Sequence, residues 1–430
     1  MKNYRVKGTA TTPKKIVIFE KLNNGEINTY SEVGYKIITQ EQYSQIRSNP
    51  LTSEYLLVKK NERQDDVKDL SLRKQYKLFI KEAYLLNELT NGEIDLYKTG
   101  SVAKTALQYF FNFHPITPQP IEKYEWDIYD QCCNNAIIWA KPFKGKGFKY
   151  DIVSQFPSIL MSTGFQIPTT KGKLETITIQ DFKNKKFFSY GIYHVHIDIK
   201  DSRLIIPSEQ DWYVHTDLNR AMELKYKLTL IEDDEPNALL YDKFINGHKL
   251  FRPFIEGLFC YKQKGFACIK KYINSLWGAL CMKDKLTLFL SDKNDYIDRN
   301  KWESKTWTPI QNGCKVELIN KIKRYEYDFA RIQPFLWAKS RYMLSKILEK
   351  NIDNVVFAHT DGLILTEEIK DTKLGTNLGE LRFEGVDENC QVVNCTGYRF
   401  GEKKTNDPFE QIKSQIKLLK KCQKSTIKEG

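Results

Sequence analysis

Two aspartates, far apart in the chain, define the chemistry open to it. Asp151 lies near the end of Gly147-Phe-Lys-Tyr-Asp151-Ile-Val153, which reads as a strand, and the Ser154-Gln155-Phe156-Pro157 that follows reads as a helix start. Proline suits a first helical turn, where its missing N–H has no bond to lose. Asp361 lies in His359-Thr360-Asp361-Gly362, between Asn354-Val-Val-Phe-Ala358 and Leu363-Ile-Leu365. An Asp-Gly pair between two apolar runs predicts a hairpin. Carboxylates brought to the ends of two strands can share a pair of divalent cations, and the backbone N–H groups of a helix start form a seat for phosphate. The plainer alternatives are that Asp151 and Ser154 only cap the helix and that Asp361 only makes a turn.

A third stretch supplies positive charge. Ile269, Ile273, Leu276 and Leu280 recur at helical spacing and form an apolar stripe, and Lys270, Asn274 and Gly278 recur beside it. That second face aligns a cation, an amide and a bare backbone patch, which suits a nucleoside triphosphate whose base pair must lie close to the helix. Just upstream, Tyr261-Lys262-Gln-Lys264-Gly265 adds two cations in reach of phosphates, or equally makes a solvated turn. An amphipathic helix with a tolerated glycine is the alternative reading of the whole stretch.

The elements that position these residues have ample chain to draw on. With 430 residues and 41% hydrophobic content, the sequence can fill the cores of two or more domains. Its net charge is +13, and its 67 Lys+Arg are spread along the length, which favours a polyanionic partner through counterion release. The 24 Tyr and 24 Phe mostly belong to cores, yet rings interleaved with lysine also suit stacking on bases. Nine scattered cysteines, with one adjacent pair at Cys132-Cys133 and no CxxC spacing, argue against zinc ribbons and disulfides and for a reducing cytosol. The absence of an apolar run of about 18 residues predicts a soluble, cytoplasmic chain with no membrane partner. Near the start, Lys15-Ile-Val-Ile-Phe19 reads as a strand, Asn23-Asn-Gly25 as a hairpin turn and Tyr76 to Leu89 as a helix. His114-Pro-Ile-Thr-Pro-Gln-Pro120 breaks regular structure and marks a boundary.

Taken in order, Asp151-Ile-Val-Ser154-Gln-Phe156-Pro157, Lys270-Lys-Tyr-Ile-Asn274-Ser275-Leu-Trp277-Gly278 and Phe357-Ala-His359-Thr360-Asp361-Gly362 resemble the three polymerase motifs of family B DNA polymerases. The style is that of the protein-primed branch found in phages, viruses and linear plasmids. The resemblance implies an α/β (α+β) right-hand polymerase with a palm sheet, helical fingers and a reduced thumb. It places an accessory or degenerate exonuclease-like domain at 1–110 and palm with an insertion at 111–250. Fingers follow at 251–285, an insertion subdomain at 286–330, palm again at 331–400 and a reduced thumb or basic tail at 401–430.

The resemblance also implies roles. Asp151, Asp361 and the Val153 backbone carbonyl would hold two Mg²⁺ (or Mn²⁺) per active site. Ser154, Gln155, Phe156, Lys262, Lys264, Lys270 and Asn274 would bind the nucleotide. Ser275, Trp277, Gly278, His359, Thr360, Thr396 and Tyr398 would face primer and template. Partners would be a DNA primer-template, deoxynucleotide triphosphates and a terminal protein or other replication factor. The expected activity is DNA-directed addition of deoxynucleotides to a 3′-hydroxyl.

Several positions depart from the family pattern. Phe156 stands where the family has the tyrosine that blocks a ribose 2′-hydroxyl, and it keeps the ring. Trp277 takes another tyrosine place, and His359 replaces the first aspartate of Asp-Thr-Asp-Ser. The segment Gln131-Cys-Cys-Asn-Asn-Ala136 lacks the glycines of a template-contacting motif. Ile18-Phe19-Glu20 puts an apolar residue where a proofreading exonuclease has its aspartate, so no 3′-to-5′ exonuclease is expected. These departures keep two alternatives open: a primase-like or template-independent nucleotidyltransferase, and an inactive scaffold that binds nucleic acid.

Overall fold

The computed structural model describes residues 9–10, 12–22, 26–39, 42–43, 46, 53–62, 66–113, 117–233, 236–290, 297–310, 313–370, 372–401 and 407–429. The expected turn at 23–25 and the first part of the boundary, 114–116, lie outside them. The chain divides into two compact units, one of residues 1–115, 253–324 and 404–430, the other of residues 116–252 and 325–403.

In the first unit the strand read at Lys15 is joined by three more. Lys15–Lys21, Ile27–Ser31, Gly34–Ile38 and Tyr55–Lys59 form one sheet, in which Lys15–Lys21 pairs antiparallel with Ile27–Ser31 and parallel with Tyr55–Lys59. Ile16, Ile18, Leu56 and Val58 are buried against the helix Leu72–Leu89, which starts where the Ser71 side chain accepts from the Lys74 N–H. The helix Ile269–Leu280 buries the apolar stripe read from its periodicity, Ile269, Ile273, Leu276 and Leu280, together with Tyr272. Its neighbours include the helix Val102–Phe113. Glu82 fastens it to the N-terminal helix, accepting from the Lys271 ammonium at 2.5 Å and from the Tyr272 hydroxyl at 2.6 Å. The interval after this helix folds into a separate antiparallel sheet of Lys285–Leu290, Trp302–Ile310 and Gly313–Asn320. The lysine-rich C-terminal stretch forms the helix Pro408–Glu429.

The second unit is built on a six-stranded sheet ordered Tyr398–Arg399, Leu381–Val392, Phe143–Ile152, Gly362–Leu365, Val355–His359 and Ile138–Ala140, antiparallel throughout. One face of this sheet packs Tyr150, Ala358 and Leu363 against Leu344 and Leu348 of the helix Ile332–Lys350. The alternating stretch at Gly191–Ile197 belongs to another sheet, with Trp212–Val214, Leu228–Leu230, Ala238–Leu240 and Lys173–Glu175. Buried ion pairs fasten the unit. Arg331 forks onto Glu125 at 2.9 and 2.7 Å, both side chains fully buried. Arg341 forks onto Asp217 at 3.0 and 2.6 Å. Such pairs depend on further hydrogen bonds to the remaining donors, and Arg341 also donates to the carbonyls of Cys133 and Asn135.

Candidate active site

The two aspartates meet at one end of the six-stranded sheet. Register pairs His359 with Gly362, Gly362 with Asp151 and Asp151 with Arg382, so one rung of the ladder crosses four strands. Directly paired residues of an antiparallel sheet direct their side chains to the same face. His359, Asp151 and Arg382 therefore share a face, with Gly362 as a gap in the row. A Cβ added at Gly362 would lie 3.9 Å from Asp151 Oδ1. Asp361 is held beside this rung because its carbonyl accepts from the Ile152 N–H at 2.8 Å.

Both carboxylates follow or precede strained backbone. Ser154 has φ +48° and Thr360 φ +61°, left-handed values that are uncommon for a serine and a true outlier for a β-branched threonine. The sequence placed the special turn residue at Gly362, but in the structure Gly362 opens the strand and Thr360 makes the turn. Thr360 is held there by its N–H, which donates to Ile137 O at 3.0 Å. Strain retained at a site this way is commonly tied to what the site must present. On the other side, the Gly379 N–H donates to the Val153 carbonyl at 2.8 Å, and the Val153 N–H donates to Glu380 O at 2.9 Å. The carbonyl keeps its second lone pair.

The remaining residues of the first motif divide between core and surface. Gln155 is buried, and its amide exchanges hydrogen bonds with Ser340, at 2.7 Å from the hydroxyl and 3.2 Å to the carbonyl. Its side chain is thus spent on structure, and only its backbone N–H remains for a ligand. The Phe156 ring is half-buried and nearly perpendicular to that of Trp337, centroids 5.2 Å apart. Around the third motif, the exposed His359 stacks at 6.2 Å on Phe357, whose other neighbour at 4.6 Å is the ring of Tyr398. The Thr396 N–H and hydroxyl both bond to Asn394 Oδ1 in a tight turn.

Three charged residues that sequence reasoning missed complete this face. One nitrogen of Arg382, Nη2, donates to Asp151 Oδ2 at 3.2 Å and to Glu384 Oε1 at 2.5 Å. From the neighbouring strand, Lys149 Nζ lies 3.2 Å from the second oxygen of Glu384 and 5.7 Å from the centre of the Tyr398 ring. Burial opposes the charge on Glu384, yet Lys149 and Arg382 outweigh it and hold the carboxyl below its usual range. Lys149 could have been found, because it lies two residues before Asp151 on one strand and so shares its face; Arg382 and Glu384 reach Asp151 only through strand register, and a bulge between Phe383 and Gly385 shifts that register.

Lys270, Asn274 and Ser275 lie in the other unit, where they line a cavity of about 830 Å³. Its walls also include Lys59 and Asn61 of the N-terminal sheet region and Gln411 and Gln415 of the C-terminal helix, none of which the motif suggested. Among the described residues the buried Asn274 Oδ1 has no hydrogen-bond partner. Gly278 is exposed, and among the described residues a Cβ there would meet nothing within 4 Å. Lys262 and Lys264 lie at the end of the helix Gly247–Gln263, each ammonium over a neighbouring ring, Phe259 at 4.9 Å and Tyr261 at 5.9 Å.

As donors, two carboxylates with nearby backbone carbonyls are hard oxygens, a set that fits Mg²⁺ or Mn²⁺. Among the described residues no three His, Cys, Asp or Glu side chains gather to hold a metal unaided. A cation here would be completed by water and substrate phosphates, which is how Mg²⁺ is commonly bound.

No family model and no curated protein matches the sequence. Solved structures do match the fold. Phi29 DNA polymerase complexed with primer-template DNA superposes with a TM-score of 0.57 at 14% identity, covering 89% of this chain and 86% of that one. The same polymerase complexed with single-stranded DNA gives 0.56 at 17% identity, covering 92% and 73%. Its ternary complex with primer-template DNA and incoming nucleotide substrates gives 0.55 at 15% identity, covering 89% and 86%. The chain therefore has a mixed α/β architecture similar to that of Phi29 DNA polymerase. Among the described residues no helix is long and apolar enough to cross a membrane.

Proposed function

We propose that this chain is a DNA-directed DNA polymerase that adds deoxynucleotides to a primer 3′-hydroxyl, with Asp151 and Asp361 as the carboxylates of a two-cation site. One observation carries the reading: the sheet register puts the two motif aspartates side by side, in a fold like that of a polymerase solved with primer-template and nucleotide. Bound there, two Mg²⁺ or Mn²⁺ would lower the pKa of the primer hydroxyl and neutralise the leaving pyrophosphate.

The chain's own groups have separable tasks. Asp151, Asp361 and the Val153 carbonyl would hold the cations. The backbone N–H groups after Ser154 are a seat for triphosphate oxygens, and Lys262, Lys264 and Lys270 of the other unit are nucleotide-binding cations in this reading. Asn274 offers an unpartnered amide oxygen, and Gly278 leaves room for the nascent base pair. Phe156 presents a ring edge-fixed by Trp337 against a ribose 2′-hydroxyl. Ser275 and Trp277 in one unit, and Thr396 and Tyr398 in the other, are contacts to primer and template in this reading. The six-stranded sheet is the palm and the helix Ile269–Leu280 the core of the fingers. Proofreading is outside this reading, because Ile18 is buried at the expected aspartate position and Glu20 is paired with Lys60 at 2.6 Å.

Primer extension on a recessed duplex with each deoxynucleotide and Mg²⁺ or Mn²⁺ tests the proposal, with Asp361→Asn as the matched control. Template-dependent extension lost in the variant is expected. A second reading, template-independent transfer, is favoured by one observation: the segment Gln131–Ala136 that should meet template lacks the glycines of the family motif, and its Cys133 and Asn135 carbonyls each accept from Arg341 instead. Untemplated addition would select it. DNA binding without extension in either metal would leave only a scaffold.

A further inference from the structure

We infer that Arg382 is a positioning residue that competes with divalent cation for Asp151 and so sets the metal concentration this site requires. The inference rests on the two-carboxylate reading above and concerns a residue that no polymerase motif in the sequence includes. Arg382 faces Asp151 across the ladder, and the same guanidinium nitrogen holds Asp151 Oδ2 at 3.2 Å and Glu384 Oε1 at 2.5 Å. Lys149 grips the far oxygen of Glu384 at 3.2 Å, so Glu384 is anchored from both sides and keeps the arginine in place. The bulge at Glu384 brings both carboxylates within reach of one guanidinium.

The electrostatic consequence adds to that of the third motif. His359 already removes a carboxylate from the turn that carries Asp361, and Arg382 adds a positive charge on the opposite flank of Asp151. Both changes lower the negative potential that draws a divalent cation, and Arg382 also takes one of the lone pairs such a cation would use. Arg382 and Asp151 are partly exposed, at 38% and 24%, so solvent screens the repulsion without abolishing it. A unit charge acting on a divalent ion from roughly 6 Å at a water-like dielectric changes affinity about tenfold.

Titration of the full chain with Mn²⁺ alone, without DNA or nucleotide, reads this directly through loss of the free-ion paramagnetic resonance signal. Arg382→Gln and Arg382→Met should each bind Mn²⁺ about tenfold more tightly than the unaltered chain, and Arg382→Lys should stay close to it. Thermal melts without metal confirm that the variants compared are folded, and the two neutral replacements guard against failure of either one. Unchanged or weaker Mn²⁺ binding in folded neutral variants overturns the inference. So does unchanged Mn²⁺ binding with weakened primer-template affinity, which would assign the arginine to DNA instead. Asp151→Asn separates the two levels: if it weakens Mn²⁺ binding while the neutral Arg382 variants do not tighten it, only the role of Arg382 falls. If Asp151→Asn has no effect, the two-carboxylate reading falls with it.

Discussion

At the scale of single residues, His359 and Phe156 mark where this chain departs from the family it resembles, and each departure can be measured. His359 shares the rung of Asp151 but is turned to solvent and stacked on Phe357, with Thr360 Oγ1 3.1 Å from its Nδ1. Nothing in that arrangement requires a histidine, so His359→Asp should leave primer extension intact or raise it with Mg²⁺ by restoring a carboxylate. Loss of activity would show that the imidazole has its own task. Phe156 keeps a rigid ring through Trp337, and Phe156→Ala should lower the ratio of deoxynucleotide to ribonucleotide kcat/KM toward one. A ratio already near one in the unaltered chain would remove Phe156 from this role.

At the scale of elements, the helix Ile269–Leu280 is fixed on one side and open on the other. Its apolar stripe is buried and Glu82 holds Lys271 and Tyr272, while a methyl group placed on Gly278 would have open space for 4 Å around it. A glycine in a helix interior costs roughly 0.5–1 kcal/mol relative to alanine, and here no packing explains it. Gly278→Ala should therefore raise thermal stability by about that amount and also raise the KM for deoxynucleotides several-fold. A gain in stability with KM unchanged would mean that the bare patch is not used by the nucleotide. The periodicity of this helix was legible because burial of one stripe repeats every three or four residues. The cavity beside it was not, because its other walls come from distant segments, Lys59, Asn61, Gln411 and Gln415 among them.

At the scale of the whole molecule, charge and buried titratable groups set the response to solution conditions. The net charge of +13 predicts that affinity for primer-template falls steeply with salt, and a binding isotherm between low and moderate salt checks it. Acid response has a specific contributor in His215, packed against the rings of Tyr190 and Phe335. Burial lowers its pKa from 6.5 to about 4. Between these values the unfolded chain takes up a proton that the folded one refuses, so stability declines as pH falls through the window, by on the order of 3 kcal/mol. Melts across pH 6.5 to 4 should show a shallower loss in His215→Phe than in the unaltered chain. Equal slopes would show that the imidazole is solvated.

What the sequence determined was everything carried by local chemistry: the strand into helix at Asp151, the amphipathic helix at Lys270, the hairpin at Asp361. Backbone sterics, proline, and alternating or helical burial act over a few residues, and a reader of the chain sees them directly. Tertiary structure alone decided which strands became neighbours. The register that sets Asp151 between Gly362 and Arg382, the bulge that brings in Glu384, and the turn strain placed on Thr360 rather than glycine all depend on pairing between segments more than two hundred residues apart. Such pairing is chosen by the packing of a whole sheet against its helix, a sum over many weak contacts that no single motif encodes.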